Sequence, residues 1–208
     1  MSAQIVRIEH AGPGSRARRL LFDDETPTRT TSAAAVKHLG LEEGMSIAGE
    51  ALEESLDEIE YPLAKDRGLM LLGYREHSAA ELRRKLHDAG YPTTVCRAVV
   101  ERFVEVELVD DARFAAAWVR SRRGAGYGTR RIARELEQRG IDAEVIQAAL
   151  TDDADETDEI QRARRALRGK VPEDRASKDR LLRRLVSRGF SISVALKALE
   201  VSDVEDTQ

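Results

Sequence analysis

The sequence is poor in cysteine, in aromatic residues and in long apolar runs, and each shortage excludes a class of protein. Its 208 residues include one cysteine, Cys96, so an internal disulfide is excluded and a reducing compartment is expected. Aromatic residues make up only 4% of the chain, which favours Leu-, Ala- and Val-packed helices over a β-sandwich. No apolar run approaches a membrane span, and the N-terminus lacks a signal-peptide core. We therefore expect a cytoplasmic protein.

Charge is plentiful but segregated along the chain. Charged residues reach 35%, yet the net charge is only −4, so the whole molecule does not indicate a polyanionic partner. Residues 116–134 contain six arginines and no acid, and residues 160–188 contain eleven Lys or Arg against three acids. The acids concentrate in residues 50–60, 151–159 and 200–206. The basic blocks, rather than the net charge, indicate an acidic partner.

Three stretches of the chain repeat one pattern that ends in a glycine. The glycines are Gly90, Gly140 and Gly189, which gives periods of 50 and 49 residues. A large apolar residue follows each glycine, as a helix C-terminal hydrophobic contact requires. The predicted core residues share their positions within the repeat: Leu82, Leu86 and Tyr91; Ile132, Leu136 and Ile141; Leu181, Leu185 and Phe190.

Each glycine-terminated helix is predicted to be the second of three. First helices are predicted at 64–72, 112–123 and 159–167, and a third helix follows each glycine. Ser78 with Glu81 forms a capping-box sequence, Asp110 or Asp111 can cap the helix after them, and Ser177 can cap the next. The expected fold is an all-α core of three tandem three-helix repeats in an elongated, curved array.

The front of the chain differs from the repeats. Short β-like runs at 5–8 and 20–22 and a short helix at 33–39 predict a small strand-and-helix cap. We expect this cap to be separable and the acidic helix after it to be a solvated connector. The expected divisions are a cap at 1–48, a connector at 49–60, and repeats at 61–107, 108–155 and 156–208, the last including an acidic tail.

The motifs of the three repeats resemble those of the RecX family. The matching positions are Tyr74-Arg-Glu-His-Ser78, Glu81-Leu82, Asp111-Ala-Arg-Phe114-Ala115, Trp118, Arg122, Gly128, Arg131-Ile132, Glu135-Leu136, Gly140-Ile141 and Arg188-Gly-Phe190. The string is specific only in combination. The chain departs from the family at Glu107, where glycine is usual. Glutamate disfavours a left-handed cap, so we expect this turn to be built differently.

The resemblance implies both a function and a set of partners. RecX proteins are modulators, mostly inhibitors, of the RecA recombinase. The resemblance implies a non-enzymatic monomer that binds RecA filaments on single-stranded DNA without sequence preference, with double-stranded DNA left open. Recombinase, ATPase and co-protease activities would be inhibited, which affects DNA repair and the SOS response.

Arginine placement points to binding independently of the resemblance. Arg84, Arg134 and Arg183 follow the core Leu82, Ile132 and Leu181 by two residues, about 200° around a helix, and so face outward. Further candidates for this basic face are Arg120, Arg123, Arg130, Arg131, Arg162 and Arg165. The alternative is a solvated surface with ordinary pairs such as Glu135–Arg139. That alternative suits any one arginine, whereas the acid-free block favours binding.

Other motifs have structural explanations. Gly124–Gly128 lacks the Lys-Ser/Thr of a phosphate-binding P-loop, so a flexible interhelical loop is expected. We expect Trp118 to pack with Phe114 in the core, in preference to stacking on a base. The four histidines show no metal-ligand spacing, and Cys96 lies on an apolar helix face. No catalytic constellation is visible, so neither an enzyme nor a cofactor is expected.

Two other function classes remain open at this point. A helix-turn-helix regulator would explain the recurring helix–glycine–helix units, but the would-be recognition helices at 143–150 and 193–199 are nearly devoid of base-reading side chains. A protein-only helical adaptor would bind no DNA. A salt titration of DNA binding separates the adaptor from the others, and sequence dependence separates the first two.

Overall fold

A computed structural model describes residues 2–24, 27–151 and 156–200. The chain divides into two compact units, Met1–Asp110 and Asp111–Gln208. The elements of the first unit are β1 (Ser2–His10), β2 (Ala17–Phe22), β3 (Arg29–Ser32), α1 (Ala33–His38), β4 (Ser46–Ala48), α2 (Gly49–Tyr74), α3 (Ala79–Asp88) and α4 (Thr93–Glu105). Those of the second are α5 (Asp111–Gly124), α6 (Thr129–Glu137), α7 (Ala143–Thr151), α8 (Glu156–Leu167), α9 (Arg175–Ser187) and α10 (Ile192–Glu200). The acidic tail predicted after residue 200 lies outside the described residues.

The front of the chain is a small antiparallel sheet with one short helix, as the sequence predicts. Its strands lie in the order β3-β2-β1-β4. β1 pairs with β2 from Ile5 opposite Phe22 to His10 opposite Arg18, with a bulge after Ile5. Alternation puts Ile5 and Leu20 on the inner face, where both are fully buried. Ser32 caps α1 by accepting a hydrogen bond from the Ala35 N–H.

The acidic segment at 49–60 is helical, as expected, but it is not a solvated connector. It is the first half of α2, and its Leu52 and Leu56 complete the core beneath the sheet. Glu60, one of its acids, is buried and accepts hydrogen bonds from the Thr31 hydroxyl and, at 2.8 Å, from the Ser32 N–H. The sequence could not distinguish this carboxylate from its exposed neighbours, because its partners lie nearly thirty residues earlier.

The cap also packs directly on the first repeat, contrary to the expectation that it is separable. Gly90, which ends the motif after α3, lies against the β2 backbone. A Cβ at Gly90 would lie 2.7 Å from the Ala17 nitrogen. Residues 1–110 accordingly form one compact unit. Deleting residues 1–48 would expose Leu52, Leu56 and the backbone of Gly90.

The first repeat buries the residues that its periodicity predicts. Leu82, Leu86 and Tyr91 are buried with Cys96 and Phe103 in one cluster. Ser78 caps α3 by accepting a 3.1 Å hydrogen bond from the Glu81 N–H. Burial raises the pKa of the Cys96 thiol to about 11, which fits the structural role expected for this residue.

The turn at Glu107 is built as the glycine turns are, contrary to expectation. Glu107 adopts a left-handed φ of 57°. Its N–H donates to the Val104 carbonyl, and the Leu108 N–H donates to Phe103, the two bonds of a Schellman motif. Gly90, Gly140 and Gly189 occupy the same position in the corresponding turns. The two hydrogen bonds of this motif therefore form even though the residue itself disfavours the left-handed conformation.

The second unit contains the other two repeats. Ile132, Leu136 and Ile141 lie in one buried cluster with Phe114 and Val119. Leu185, Phe190 and Leu199 lie in another with Ala163 of α8. The predicted cap of α9 was wrong by three residues. Asp174 is the N-cap, and Ser177 is the reciprocal partner of its capping box. The all-α repeats and the N-terminal strand-and-helix cap confirm the predicted fold class.

Candidate nucleic-acid interface

The three repeat-related arginines lie outside the core, as their register predicts. Arg84 on α3, Arg134 on α6 and Arg183 on α9 are all exposed. Of the six further candidates, Arg120, Arg130 and Arg165 are exposed, and Arg123, Arg131 and Arg162 are half-buried. Most of these side chains line two concavities of the second unit. Arg84, Arg120 and Arg183 line neither.

The first of these, here called the arginine concavity, has a volume of about 420 Å³, and none of the described residues that line it is acidic. It is lined by Arg123, Gly124, Ala125, Gly126, Arg162, Arg165, Ala166, Arg168 and Arg188. Five arginines from three segments of the chain therefore converge on one depression. Such a surface attracts anions, and planar guanidinium groups suit phosphate in particular.

Two of these arginines are oriented by backbone carbonyls. Arg123 Nη2 donates a 2.7 Å hydrogen bond to the Leu150 carbonyl. Arg188 Nη1 donates to the Gly126 carbonyl at 3.4 Å. Burial lowers the pKa of the Arg162 guanidinium, and the nearby charge of Arg123 lowers it further. The cationic groups of this concavity repel one another, and an anion between them would remove that cost.

The second concavity lies between α6 and the end of α9 and has a volume of about 370 Å³. It is lined by Arg130, Arg131, Arg134, Glu135, Gln138, Val186, Ser187, Gly189 and Phe190. The presence of Glu135 makes it less cationic than the arginine concavity. Arg130 and Arg134 are exposed here, whereas Arg131 is held by other side chains.

Glu135 organises the polar contacts inside the second repeat. Arg131 Nε lies 3.0 Å from one of its carboxylate oxygens, and Arg122 Nε lies 2.7 Å from the other. Burial alone would raise the pKa of Glu135. The hydrogen bond from Arg131 and the charge of Arg122 outweigh burial, so the pKa lies below its ordinary value. Arg131 therefore has a structural partner, which the sequence did not reveal.

Trp118 belongs to this polar cluster as well as to the core. Its ring stacks on Phe114, with centroids 6.0 Å apart, which confirms the predicted packing. Its Nε1 donates to Glu135 at 3.1 Å. The guanidinium groups of Arg122 and Arg139 lie over the ring at 4.2 and 3.7 Å from its centroid. Arginines thus cover the ring that a base would need to stack on.

The Gly124–Gly128 segment is docked, contrary to the expectation of a flexible loop. The Gly128 N–H donates to the Arg188 carbonyl at 3.0 Å, and the Arg130 N–H donates to Gly189 at 3.1 Å. The ring of Tyr127 has the Arg131 guanidinium 4.3 Å from its centroid. The segment connects α5 to α6 within the second repeat and packs against the third repeat. Its Gly124–Gly126 portion forms part of the arginine concavity.

A further bond ties the two repeats of this unit together. The N-terminus of α6 has no capping side chain of its own, because its N-cap residue is Gly128. Glu159 of α8 accepts a 3.0 Å hydrogen bond from the Thr129 N–H in its place. A carboxylate at a helix N-terminus is also favoured by the helix dipole. The acidic block at 151–159 thus includes at least one residue with a structural role.

The sequence did not predict Arg168 and Arg188 as members of the basic site. Arg188 immediately precedes the third repeat glycine, where its peptide carbonyl bonds to Gly128, and Arg168 follows the last turn of α8 with a φ of 53°. Neither occupies the repeat position on which the prediction was based. Among the described residues, no cluster of His, Cys, Asp and Glu could hold a metal ion.

Comparison with known proteins matches the first two three-helix repeats to a known family. Residues 64–103 match the family model described as "RecX, first three-helix domain", and residues 110–150 match "RecX, second three-helix domain". A "Regulatory protein RecX" of Mycolicibacterium smegmatis is 40% identical over 148 residues, 66% of this chain and 78% of that protein. One from Pseudomonas entomophila is 34% identical over 151 residues, 71% of this chain and 97% of that protein. The chain belongs to the RecX family.

Solved structures show the same fold. A crystal structure of regulatory protein RecX matches with a TM-score of 0.61 and 21% identity, over 92% of this chain and 96% of that one. RecX from Lactobacillus salivarius matches with a TM-score of 0.62 and 18% identity, over 70% of this chain and 97% of that one. RecX proteins are named as regulators rather than as enzymes. No described helix of this member has the length and apolarity of a membrane span.

Proposed function

We propose that this RecX-family protein binds filaments of the RecA recombinase on DNA and inhibits their recombinase, ATPase and co-protease activities, without catalysing a reaction itself. The observation that carries the proposal is the arginine concavity, whose described lining residues include five arginines and no acid, on a chain whose net charge is −4. Such a surface binds nucleic acid through phosphate, without reading sequence. Inhibition would restrain DNA repair by recombination and the SOS response.

The proposed contact residues form two groups. The first lines the concavities of the second unit and comprises Arg123, Arg162, Arg165, Arg130 and Arg134. The second is exposed outside them and comprises Arg84, Arg120 and Arg183. Arg131 was predicted with them, but its bond to Glu135 gives it a structural role that by itself accounts for the residue. We further propose that the three repeats at 61–107, 108–155 and 156–208 are the functional divisions of the chain. We also propose that the protein is a cytoplasmic monomer.

A sequence-reading DNA regulator is less well supported by the described helices. The exposed residues of α7 include Glu144, Gln147 and Ala148, and those of α10 include Ile192, Ser193 and Lys197. These faces are short and carry few of the side chains that read base edges. Binding that depends on strand sequence would favour this class over the proposed one.

The test is hydrolysis of ATP by a RecA recombinase on single-stranded DNA, with this protein titrated in. We expect hydrolysis to fall at substoichiometric to equimolar protein, and the protein alone to release no phosphate. A control with heat-denatured protein separates inhibition from carry-over of salt. Undiminished hydrolysis at equimolar protein would contradict the proposal, and intrinsic turnover that persists through purification would contradict its non-enzymatic part.

A further inference from the structure

The arginine concavity has features of a discrete ligand site as well as of a basic surface. Its arginines come from the end of α5, from α8 and the residue after it, and from the end of α9: Arg123, Arg162, Arg165, Arg168 and Arg188. These segments converge because the second and third repeats are joined at Gly128 and Gly189, and also by the bonds from Thr129 to Glu159 and from Arg188 to Gly126. A volume of about 420 Å³ lies within the range of small-ligand pockets.

The lining excludes most ligand classes. Apart from arginine, the described residues that line it are only glycine and alanine, so they offer no aromatic surface for a base and little apolar surface for a lipid chain. None of these described residues has an acidic side chain that could bind a cation. Guanidinium groups from several directions match a ligand that carries more than one negative charge in a small volume. Neighbouring phosphate groups have this property.

The arginines are partly prepared for such a ligand. Arg123 donates a hydrogen bond to the Leu150 carbonyl, and Arg188 donates one to the Gly126 carbonyl. Both side chains are therefore already held in place before a ligand binds. Asp158 and Glu159 lie about one turn before Arg162 on α8, and their charges act on its guanidinium group. Of these, Glu159 is engaged by the Thr129 N–H, and neither it nor Asp158 lines the concavity. None of the described lining residues carries a negative charge that opposes the charge of the arginines.

We propose that this concavity is a phosphate site that binds two or more adjacent phosphate groups through the five arginines and makes no contact with bases. Adjacent phosphates occur in the backbone of a nucleic acid strand and in a free polyphosphate or nucleoside triphosphate. The site takes its ligand by this shared chemistry. The inference deepens the proposed function, and its DNA form rests on that function.

The experiment uses the full chain without any recombinase, so its failure is distinguishable from failure of the proposed function. Inorganic tripolyphosphate is titrated calorimetrically. A labelled oligothymidylate strand and an abasic strand of equal length are compared by fluorescence anisotropy. The test variant is Arg165→Ala/Arg168→Ala, and the matched control is Arg113→Ala/Arg175→Ala, which removes two exposed arginines of the same unit outside the concavity. Arg165→Lys/Arg168→Lys keeps the charge, and circular dichroism checks the fold.

We expect tripolyphosphate to bind and to displace the labelled strand. The abasic and thymidylate strands should bind within about threefold of each other, because bases are not contacted. The alanine variant should lose at least tenfold for each ligand, and its log–log salt slope for strands should fall by about 1.4, at roughly 0.7 per phosphate contact. The control should stay within twofold, and the lysine variant should lose less than the alanine variant.

The outcomes separate the two sources of phosphate. If wild type binds the strands but not tripolyphosphate, and the alanine variant loses strand binding, the site is assigned to a nucleic acid backbone. Loss of tripolyphosphate alone assigns it to a free polyphosphate. An alanine variant that binds every ligand as the control does would overturn the inference, and so would an abasic strand that fails to bind.

Discussion

Gly128 and Gly189 bring two repeats into backbone contact. A Cβ at Gly128 would lie 2.3 Å from the Phe190 nitrogen, and a Cβ at Gly189 would lie 2.3 Å from the Arg131 Cβ. Real Cβ atoms do not approach so closely. Gly189 also has a φ of 94°, which disfavours any side chain. Both positions therefore require glycine, one for space and the other for space and conformation.

Gly128→Ala should destabilise the second unit by about 3 kcal/mol, because the atoms it meets are backbone and cannot rotate away. The free energy of unfolding in urea measures the effect. Gly124→Ala is the matched control, since nothing lies within 4 Å of its added Cβ. Equal stability of the two variants would show that the repeats do not meet at Gly128.

Glu107→Gly should stabilise the protein by about 1 kcal/mol, since glycine adopts the left-handed conformation without the cost a side chain imposes. The midpoint of thermal unfolding of the first unit should rise. Glu107→Ala removes the same carboxylate but keeps the strained backbone, so it should not stabilise. If alanine and glycine had the same effect, the gain would come from the lost side chain rather than from the backbone.

Glu135→Gln should cost about 2 kcal/mol, because it weakens the charge-assisted hydrogen bond from Arg131 and removes the ion pair with Arg122 in a half-buried site. Trp118, the one tryptophan of the chain, donates to this carboxylate, so its fluorescence spectrum should shift in the folded variant. Exposed Glu137→Gln is the control on the same helix. An unchanged spectrum and an unchanged unfolding free energy would remove Glu135 from its central role.

His77 should make stability pH-dependent. Burial, and then the charge of Arg75, hold the pKa of His77 below its ordinary value, although Glu81 opposes the shift. The unfolded chain then binds more protons, so unfolding free energy should fall as pH decreases through about 6.5 toward the folded pKa, and level off below it. His77→Asn should flatten this dependence, whereas His10→Asn at an exposed site should not. Identical pH profiles for wild type and His77→Asn would contradict the assignment.

Local patterns predicted the helices well. Leu82, Leu86 and Tyr91 all lie in the core, as predicted. Their burial could be predicted because the helical periodicity and the C-terminal glycine motif at Gly90 are both encoded within about ten residues. The outward register of Arg84 was predictable for the same reason. The backbone conformation at Glu107 was not predictable, because glutamate itself disfavours the left-handed conformation that this turn adopts.

Long-range relationships were beyond the sequence pattern. Arg123 and Arg188 are 65 positions apart, and the folded structure, not the sequence pattern, shows that they line one concavity. From the sequence, Glu60 could not be distinguished from the other five acids of residues 50–60. In the structure it is buried and accepts hydrogen bonds from Thr31 and Ser32. Arg131 was grouped with the binding arginines because its charge was visible and its partner Glu135 looked like an ordinary surface acid.

The most direct test of the proposed basic face is binding to a RecA filament preassembled on single-stranded DNA, followed by anisotropy over a salt series. The triple variant Arg84→Ala/Arg134→Ala/Arg183→Ala is compared with Arg7→Ala/Arg97→Ala/Arg175→Ala, whose residues are also exposed. At roughly 0.7 per phosphate contact, the triple variant should lower the log–log slope by about two and weaken inhibition of ATP hydrolysis in parallel, with stability unchanged within about 0.5 kcal/mol per site. A triple variant with wild-type affinity, an unchanged salt slope and full inhibition would return these arginines to an ordinary solvated surface.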